Sequence, residues 1–187
     1  MKIKVFKATS NFLPTVSTPF SAAKDIRADL SLVNKGLIFD CNMGFTHHSV
    51  NTGFIEGDMP LYEYRRTEDD KLAIVIKPNG RALIPSGLFV EIPDGYSMDI
   101  RPRSGLALKY GMELVNSPGL IDPDYRGDVG VIVKNGGNKP IVIVDGERIA
   151  QMKISKDVEF EWEPVHSKLD LSETVRGEGG FNSTGTK

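Results

Sequence analysis

The chain has 187 residues, enough for one domain with a real core, and its 40% hydrophobic and 26% charged residues are ordinary for a globular protein. A net charge of −2 gives no global basic field, so nucleic acid is not an expected partner, and a polyanionic ligand would be met by local Arg, Lys and backbone amides, with a metal beside them. No stretch approaches the ~20 apolar residues of a membrane span, Met1 to Lys7 lacks a signal-peptide core, and the one cysteine, Cys41, excludes an internal disulfide, so the expected setting is cytoplasmic, away from membranes.

Lys2 to Lys7 alternates lysine with apolar residues, as a half-exposed strand does. Asn11 to Ala22, with Pro14 and Pro19, reads as an extended connection. Asp25 to Leu30 alternates again, with Asp25, Arg27 and Asp29 on one face, and taken alone Asp25 reads as a solvated strand charge. Cys41 to Asp70 differs in character, with His47-His48, several glycines, Pro60 and a charged run, and it reads as an insertion or elaborated loop. Adjacent His47 and His48 cannot share a strand face, which makes them a poor metal pair. Phe45, Phe54, Tyr62 and Tyr64 suggest that the stretch is partly folded.

From Leu72 the pattern is dense. Strands are predicted at Leu72–Ile76, Arg81–Ile84, Leu88–Ile92 and Tyr96–Arg101, separated by Pro/Gly turns, which is the signature of an all-β sandwich or barrel. Ser104 to Tyr110 is the one short helix expected, with Ser104 as N-cap and Gly111 at its end. Met112–Val115 and Val129–Val133 read as strands of a hairpin, with Asp122 near its tip as a candidate general base and Tyr125 as a pocket wall. Taken alone, Asp122 reads as an Asx-turn residue. Asn135 to Asn138 reads as a turn, followed by strands at Ile141–Val144 and Arg148–Ile154. Glu159 to Val165 alternates charged and apolar residues around Trp162, and residues 167–187 have little to bury.

Two stretches suit phosphate. Pro102-Arg103-Ser104-Gly105-Leu106-Ala107 sets a guanidinium beside amides at a helix start. Arg176 to Gly185 is rich in glycine, with Arg176, Ser183 and Thr184 as donors and Phe181 free to stack on a flat ligand. These join Ala22-Ala23-Lys24-Asp25-Ile26-Arg27-Ala28, Gly119-Leu120-Ile121-Asp122-Pro123-Asp124-Tyr125-Arg126-Gly127 and Arg148-Ile149-Ala150-Gln151-Met152 as five short segments in fixed order.

In those five segments the chain resembles the homotrimeric all-β dUTPases, which hydrolyse dUTP to dUMP and pyrophosphate and so serve nucleotide-pool sanitation and dUMP supply. The match leaves out only residues 37–71, the insertion between the first and second motifs. It departs in the first motif, where Gly and an aromatic are usual and Ala23 and Lys24 stand here. The resemblance implies a dUTPase-like jelly-roll or β-barrel sandwich, one domain over 1–187, a flexible arm over 167–187, Mg2+ as cofactor and a homotrimer. It implies that Asp122 activates the water that attacks the α-phosphorus. Asn116 and the backbone near Leu120 would read the uracil edge, and Tyr125 would lie under the deoxyribose and leave no room for a 2′-hydroxyl. Arg103, Ser104, Gly105 and Gln151 would bind phosphates, and Asp25 would steady Mg2+ through its water shell. Arg176, Ser183 and Thr184 would close over the γ-phosphate, Phe181 would cap the base, and Ile121 and Met152 complete the substrate-binding set. Two other readings use the same fold: a dCTP deaminase-like enzyme, which would not need the third and fifth motifs, and a regulatory module that meets a protein partner through the insertion.

Overall fold

The computed structural model describes residues 1–9, 13–34, 39–40, 44–45 and 61–179. They fall into two compact units, Met1–Asp157 and Val158–Lys187.

The first unit is built of short strands. In chain order they are β1 (Lys4–Lys7), β2 (Lys24–Arg27), β3 (Phe39–Asp40), β4 (Gly44–Phe45), β5 (Tyr62–Arg66), β6 (Leu72–Ile76), β7 (Arg81–Ile84), β8 (Leu88–Glu91), β9 (Tyr96–Pro102), β10 (Met112–Leu114), β11 (Gly119–Ile121), β12 (Val131–Asn135), β13 (Ile141–Val144) and β14 (Arg148–Lys156). A single helical turn, α1 (Ser31–Asn34), follows β2, and a seven-residue helix, α2 (Ser104–Tyr110), follows β9. The ladders are antiparallel and run β11-β9-β14-β2, β10-β12-β7, β13-β6-β5, β1-β8 and β3-β4. No helix among the described residues is long and apolar enough to cross a membrane.

The Pro/Gly punctuation after Leu72 produces the predicted strands because each turn residue ends a run whose apolar side chains can face inward. Ile26, Ile74, Ile76, Ile84, Met98, Ile100, Val131, Val133, Ile143 and Ile149 meet in one core. Each fully buried Ile stabilises the fold by roughly 2 kcal/mol over leaving it exposed.

Five local expectations need correction. The ladder of β2 stops at Arg27, and the residues after it bond elsewhere: Ala28 N–H donates to Glu147 O and Asp29 N–H to Pro85 O, each at 2.8 Å. Asp29 is no surface charge; it is buried and accepts from the hydroxyls of Thr9 and Ser31. The end of the stretch read as an insertion forms β5, which pairs with β6 from Tyr62↔Ile76 to Arg66↔Leu72 and sends Tyr62 into the core. Asn135 is not a turn residue on the surface. It ends β12 fully buried, donating to Ile76 O at 2.8 Å and to Lys139 O at 2.9 Å. The helix α2 is capped by Arg103, with no side-chain capping bond, and Ser104 is its first residue; Gly111 closes it as expected, in the left-handed region.

In the second unit, Ser167 begins a 3-10 turn at Lys168–Asp170 through a reciprocal capping box with Asp170. Val158, Phe160 and Trp162 are all exposed, with the rings of Phe160 and Trp162 edge to face at 5.2 Å. The Arg176 guanidinium donates to Gly179 O at 2.7 Å.

Candidate active site

Strand β9 organises the site. On one side it pairs with β14, on the other with β11. Its C-terminal end delivers Arg103. There Gln151 stands opposite both Arg101 of β9 and Asp25 of β2, so three strands place polar side chains on one face. Regular pairing would set Arg148 opposite Ala28, on the other face. A bulge between Arg148 and Ala150 instead sets it opposite Arg27, on the face of Asp25.

Asp25 is the centre of this cluster and is buried, against the expectation of a solvated charge. One carboxylate oxygen accepts from Arg103 Nε at 3.1 Å and lies 3.5 Å from the Gln151 amide; the other accepts from Arg148 at 3.1 Å and from the Ser17 hydroxyl at 3.2 Å. Burial alone would push its pKa up. Arg103, with Ser17, Gln151 and Arg148, outweighs burial and holds the carboxyl below its ordinary value. Arg103 also donates to Arg148 O at 3.1 Å. A groove of about 840 Å3 runs alongside, lined by Arg27, Lys71, Arg103 and Arg148, by the carboxylates Asp69, Asp145 and Glu147, and by the helix residues Leu106 and Tyr110. Ser104 and Gly105 lie exposed at the start of α2, with open space above Gly105.

The third motif sits elsewhere. The expected hairpin does pair, β10 with β12, but its connection crosses to another sheet as β11, and Asp122 directly follows that strand. Leu120 and Asp122 are exposed. The Asn116 amide lies over Gly119, where a Cβ would be 3.1 Å away, so Gly119 makes room for a polar group beside the β11 backbone. The turn after Asp122 is tightly held. Tyr125 N–H donates to Asp122 O at 3.2 Å, and Arg126 donates to Pro123 O at 2.6 Å and Tyr125 O at 3.0 Å. The Tyr125 hydroxyl donates to Asp128 O at 3.0 Å. Only glycine fits at 127, because a Cβ there would collide with that hydroxyl. Burial, and then Asp128, push the phenol up, so it remains a donor.

The two groups are far apart within one chain. Ile121 pairs with Met98, and Arg103, just past the end of β9, lies five residues further on, roughly 16 Å of extended chain. The structure therefore brings together Asp25, Arg103 and Gln151, with Met152 next in the strand, and separately Asn116, Leu120, Ile121, Asp122 and Tyr125. Arg176 belongs to the second unit, and Phe181, Ser183 and Thr184 lie outside the described residues. Sequence reading gave no role to Arg148 or Ser17. A bulge leaves no mark in strand periodicity, and a serine in an extended connection has no signal at all.

Among the described residues no three His, Cys, Asp or Glu side chains converge to hold a metal. Asp25, with both oxygens engaged, can serve a hydrated cation only as a hydrogen-bond acceptor. That donor set fits a divalent ion held by phosphate oxygens and water.

A sequence model described as dUTPase matches residues 71–185. A protein of Beijerinckia indica subsp. indica named deoxyuridine 5'-triphosphate nucleotidohydrolase is 51% identical over 112 residues, covering 60% of this chain and 68% of its own. Among solved structures, a variant dUTPase of Staphylococcus bacteriophage 80alpha bound to dUpNHpp superposes with a TM-score of 0.65 at 22% identity, covering 98% of each chain. A variant dUTPase from phage phi11 of S. aureus, described as coordinating a structural Mg(II) ion, gives 0.61 at 17% identity, covering 90% of this chain and 99% of its own. The last two speak to the all-β fold.

Proposed function

The chain belongs to the dUTPase family and hydrolyses dUTP, and we propose that it does so at sites shared between copies of a homotrimer. The observation that carries this is the separation along β9. Ile121, which precedes Asp122, pairs with Met98 of β9, whereas Arg103 follows the far end of that strand beside Gln151 and Arg148. A triphosphate must meet both sets at once, so a second copy has to supply the missing one.

In the proposed mechanism Asn116 and the backbone near Leu120 and Ile121 hold the uracil edge, and the Tyr125 ring packs under the deoxyribose. Arg103, the exposed amides of Ser104 and Gly105, and Gln151 bind phosphate oxygens from the neighbouring copy, with Met152 at the edge of that set. Asp122 takes a proton from water as its oxygen bonds to the α-phosphorus. The bond from that phosphorus to the bridging oxygen breaks, and pyrophosphate leaves with the electron pair. A Mg2+ ion carried on the triphosphate would neutralise its charge, with Asp25 accepting hydrogen bonds from the water shell. Arg176, Ser183 and Thr184 close over the γ-phosphate, and Phe181 covers the base. The single thiol Cys41 favours a reducing, cytoplasmic setting.

The test pairs activity with mass. Pyrophosphate release from dUTP, dCTP, dTTP and UTP, with and without Mg2+, is measured on a preparation characterised by light scattering. A Mg2+-stimulated, dUTP-selective trimer is expected. A fully active monomer would contradict the shared site.

A further inference from the structure

The loop that carries Asp122 and Tyr125 is anchored by a buried carboxylate for which the mechanism above has no use. Asp128 is 5% exposed. One of its oxygens accepts from the Ser86 amide at 3.0 Å and the other from the Ser86 hydroxyl at 3.3 Å. That hydroxyl accepts in turn from the Leu88 amide at 3.2 Å. The backbone grips the same turn, since Val129 N–H donates to Leu88 O at 2.8 Å and residue 128 bridges to Phe89. Asp128 thus fastens the end of the third motif to the turn between β7 and β8.

The other side of the same residue faces the site. Its carbonyl oxygen accepts from the Tyr125 hydroxyl at 3.0 Å and from Gly130 N–H at 2.8 Å. The carboxylate fixes residue 128, the carbonyl of 128 fixes the phenol, and the phenol fixes the ring. Tyr125 is 42% exposed, so few side-chain contacts hold its open face.

We propose that Asp128 is a positioning residue for sugar discrimination: it holds Tyr125 in the place where the ring excludes a 2′-hydroxyl. The inference rests on the reading of Tyr125 as the wall under the deoxyribose. Removing the carboxylate leaves the Ser86 amide and hydroxyl without their buried acceptor, and residue 128 then shifts to relieve them. The ring follows its hydrogen bond, and the pocket opens to the larger sugar.

The test measures kcat/KM for dUTP and UTP, with the melting temperature and mass of each protein. The variants are Asp128→Ala, Asp128→Asn, Ser86→Ala, Tyr125→Ala and the Asp128→Ala/Tyr125→Ala double. Tyr125→Ala and Asp128→Ala should each lower the dUTP-to-UTP ratio by about tenfold, the scale of a group displaced by a fraction of an ångström. The double variant should fall no further than Tyr125→Ala, because both act through one ring. Asp128→Asn keeps one acceptor and should lower the ratio by less, about threefold. If Asp128→Ala does not yield a folded protein, Asp128→Asn and Ser86→Ala decide the matter, each with an expected fall of about threefold. A merely structural Asp128 would lower both activities by one factor together with the melting temperature and leave the ratio unmoved; that result overturns the proposal. A ratio that Tyr125→Ala changes and the Asp128 and Ser86 variants do not overturns it while sparing the reading of Tyr125. A ratio that none of the variants changes overturns both.

Discussion

At Asp122, exposed just after β11, replacement by asparagine keeps the size of the side chain and removes the proton acceptor. Asp122→Asn should bind dUTP as before and lose at least ~10²-fold in kcat, the usual worth of a positioned base. Turnover within a few-fold of the parent would exclude Asp122 as the base. Asp128 differs by being dry. Burial pushes its pKa up to about 6, against the pull of the Ser86, Gly87 and Leu88 amides and the Ser86 hydroxyl. The folded value lies above the unfolded one, so this group's contribution to stability is full below about pH 4 and is lost as pH rises through about 6, roughly 3 kcal/mol in all. Asparagine does not titrate. The stability of Asp128→Asn relative to the parent should therefore rise between pH 4 and 7, measured by urea unfolding at fixed protein concentration; a fall over that range would contradict the assignment. Asp25 has the opposite sign, since its lowered pKa gives stability that is present above the unfolded value and lost as pH falls through the folded one. The contrast between these three aspartates was only partly legible in the sequence. Asp122 stood out through its motif. The burial of Asp25 depends on Ser17, Arg103 and Arg148 arriving from three distant segments, which no local pattern announces.

Among the elements, the strands from Leu72 to Pro102 were readable because apolar alternation and Pro/Gly turns agree there. Strand β5 was not. Its sequence Tyr-Glu-Tyr-Arg-Arg looks like a charged loop, yet Tyr62 points into the core and Tyr64 packs against it while Arg65 and Arg66 stay exposed. Two substitutions separate β5 from the rest of residues 37–71. Tyr62→Ala should destabilise the fold by about 3 kcal/mol in urea unfolding, the cost of emptying a buried aromatic site. Replacing residues 46–60 with a Gly/Ser linker of equal length should leave dUTP turnover within about twofold, since all five motifs lie outside them. Lost turnover in a folded linker variant would give the insertion a part in catalysis. At the other end, truncation after Thr174 should keep the melting temperature, because the described residues of that unit bury little, and should remove most of kcat by taking away Arg176, Phe181, Ser183 and Thr184. An unchanged kcat would make the arm dispensable.

At the scale of the whole molecule, the fold explains both why five motifs could be recognised and why their assembly could not. Each motif is a contiguous run whose chemistry is visible in its residues. Their meeting place depends on β9, which carries the second motif at its end and pairs with the third motif's strand at its middle. The central claim is that Asp122 and Arg103 of one site come from different chains, and mixing two crippled proteins tests it most directly. Asp122→Asn and Arg103→Ala are each purified, shown to be nearly inactive, then unfolded together in equal amounts and refolded so that subunits exchange at random. If each site takes Asp122 from one copy and Arg103 from its neighbour, about a quarter of the sites regain both residues, and the mixture should recover about a quarter of the parental dUTP hydrolysis. If both residues of a site come from one chain, no site is repaired, and a mixture as inactive as its two components would contradict the account.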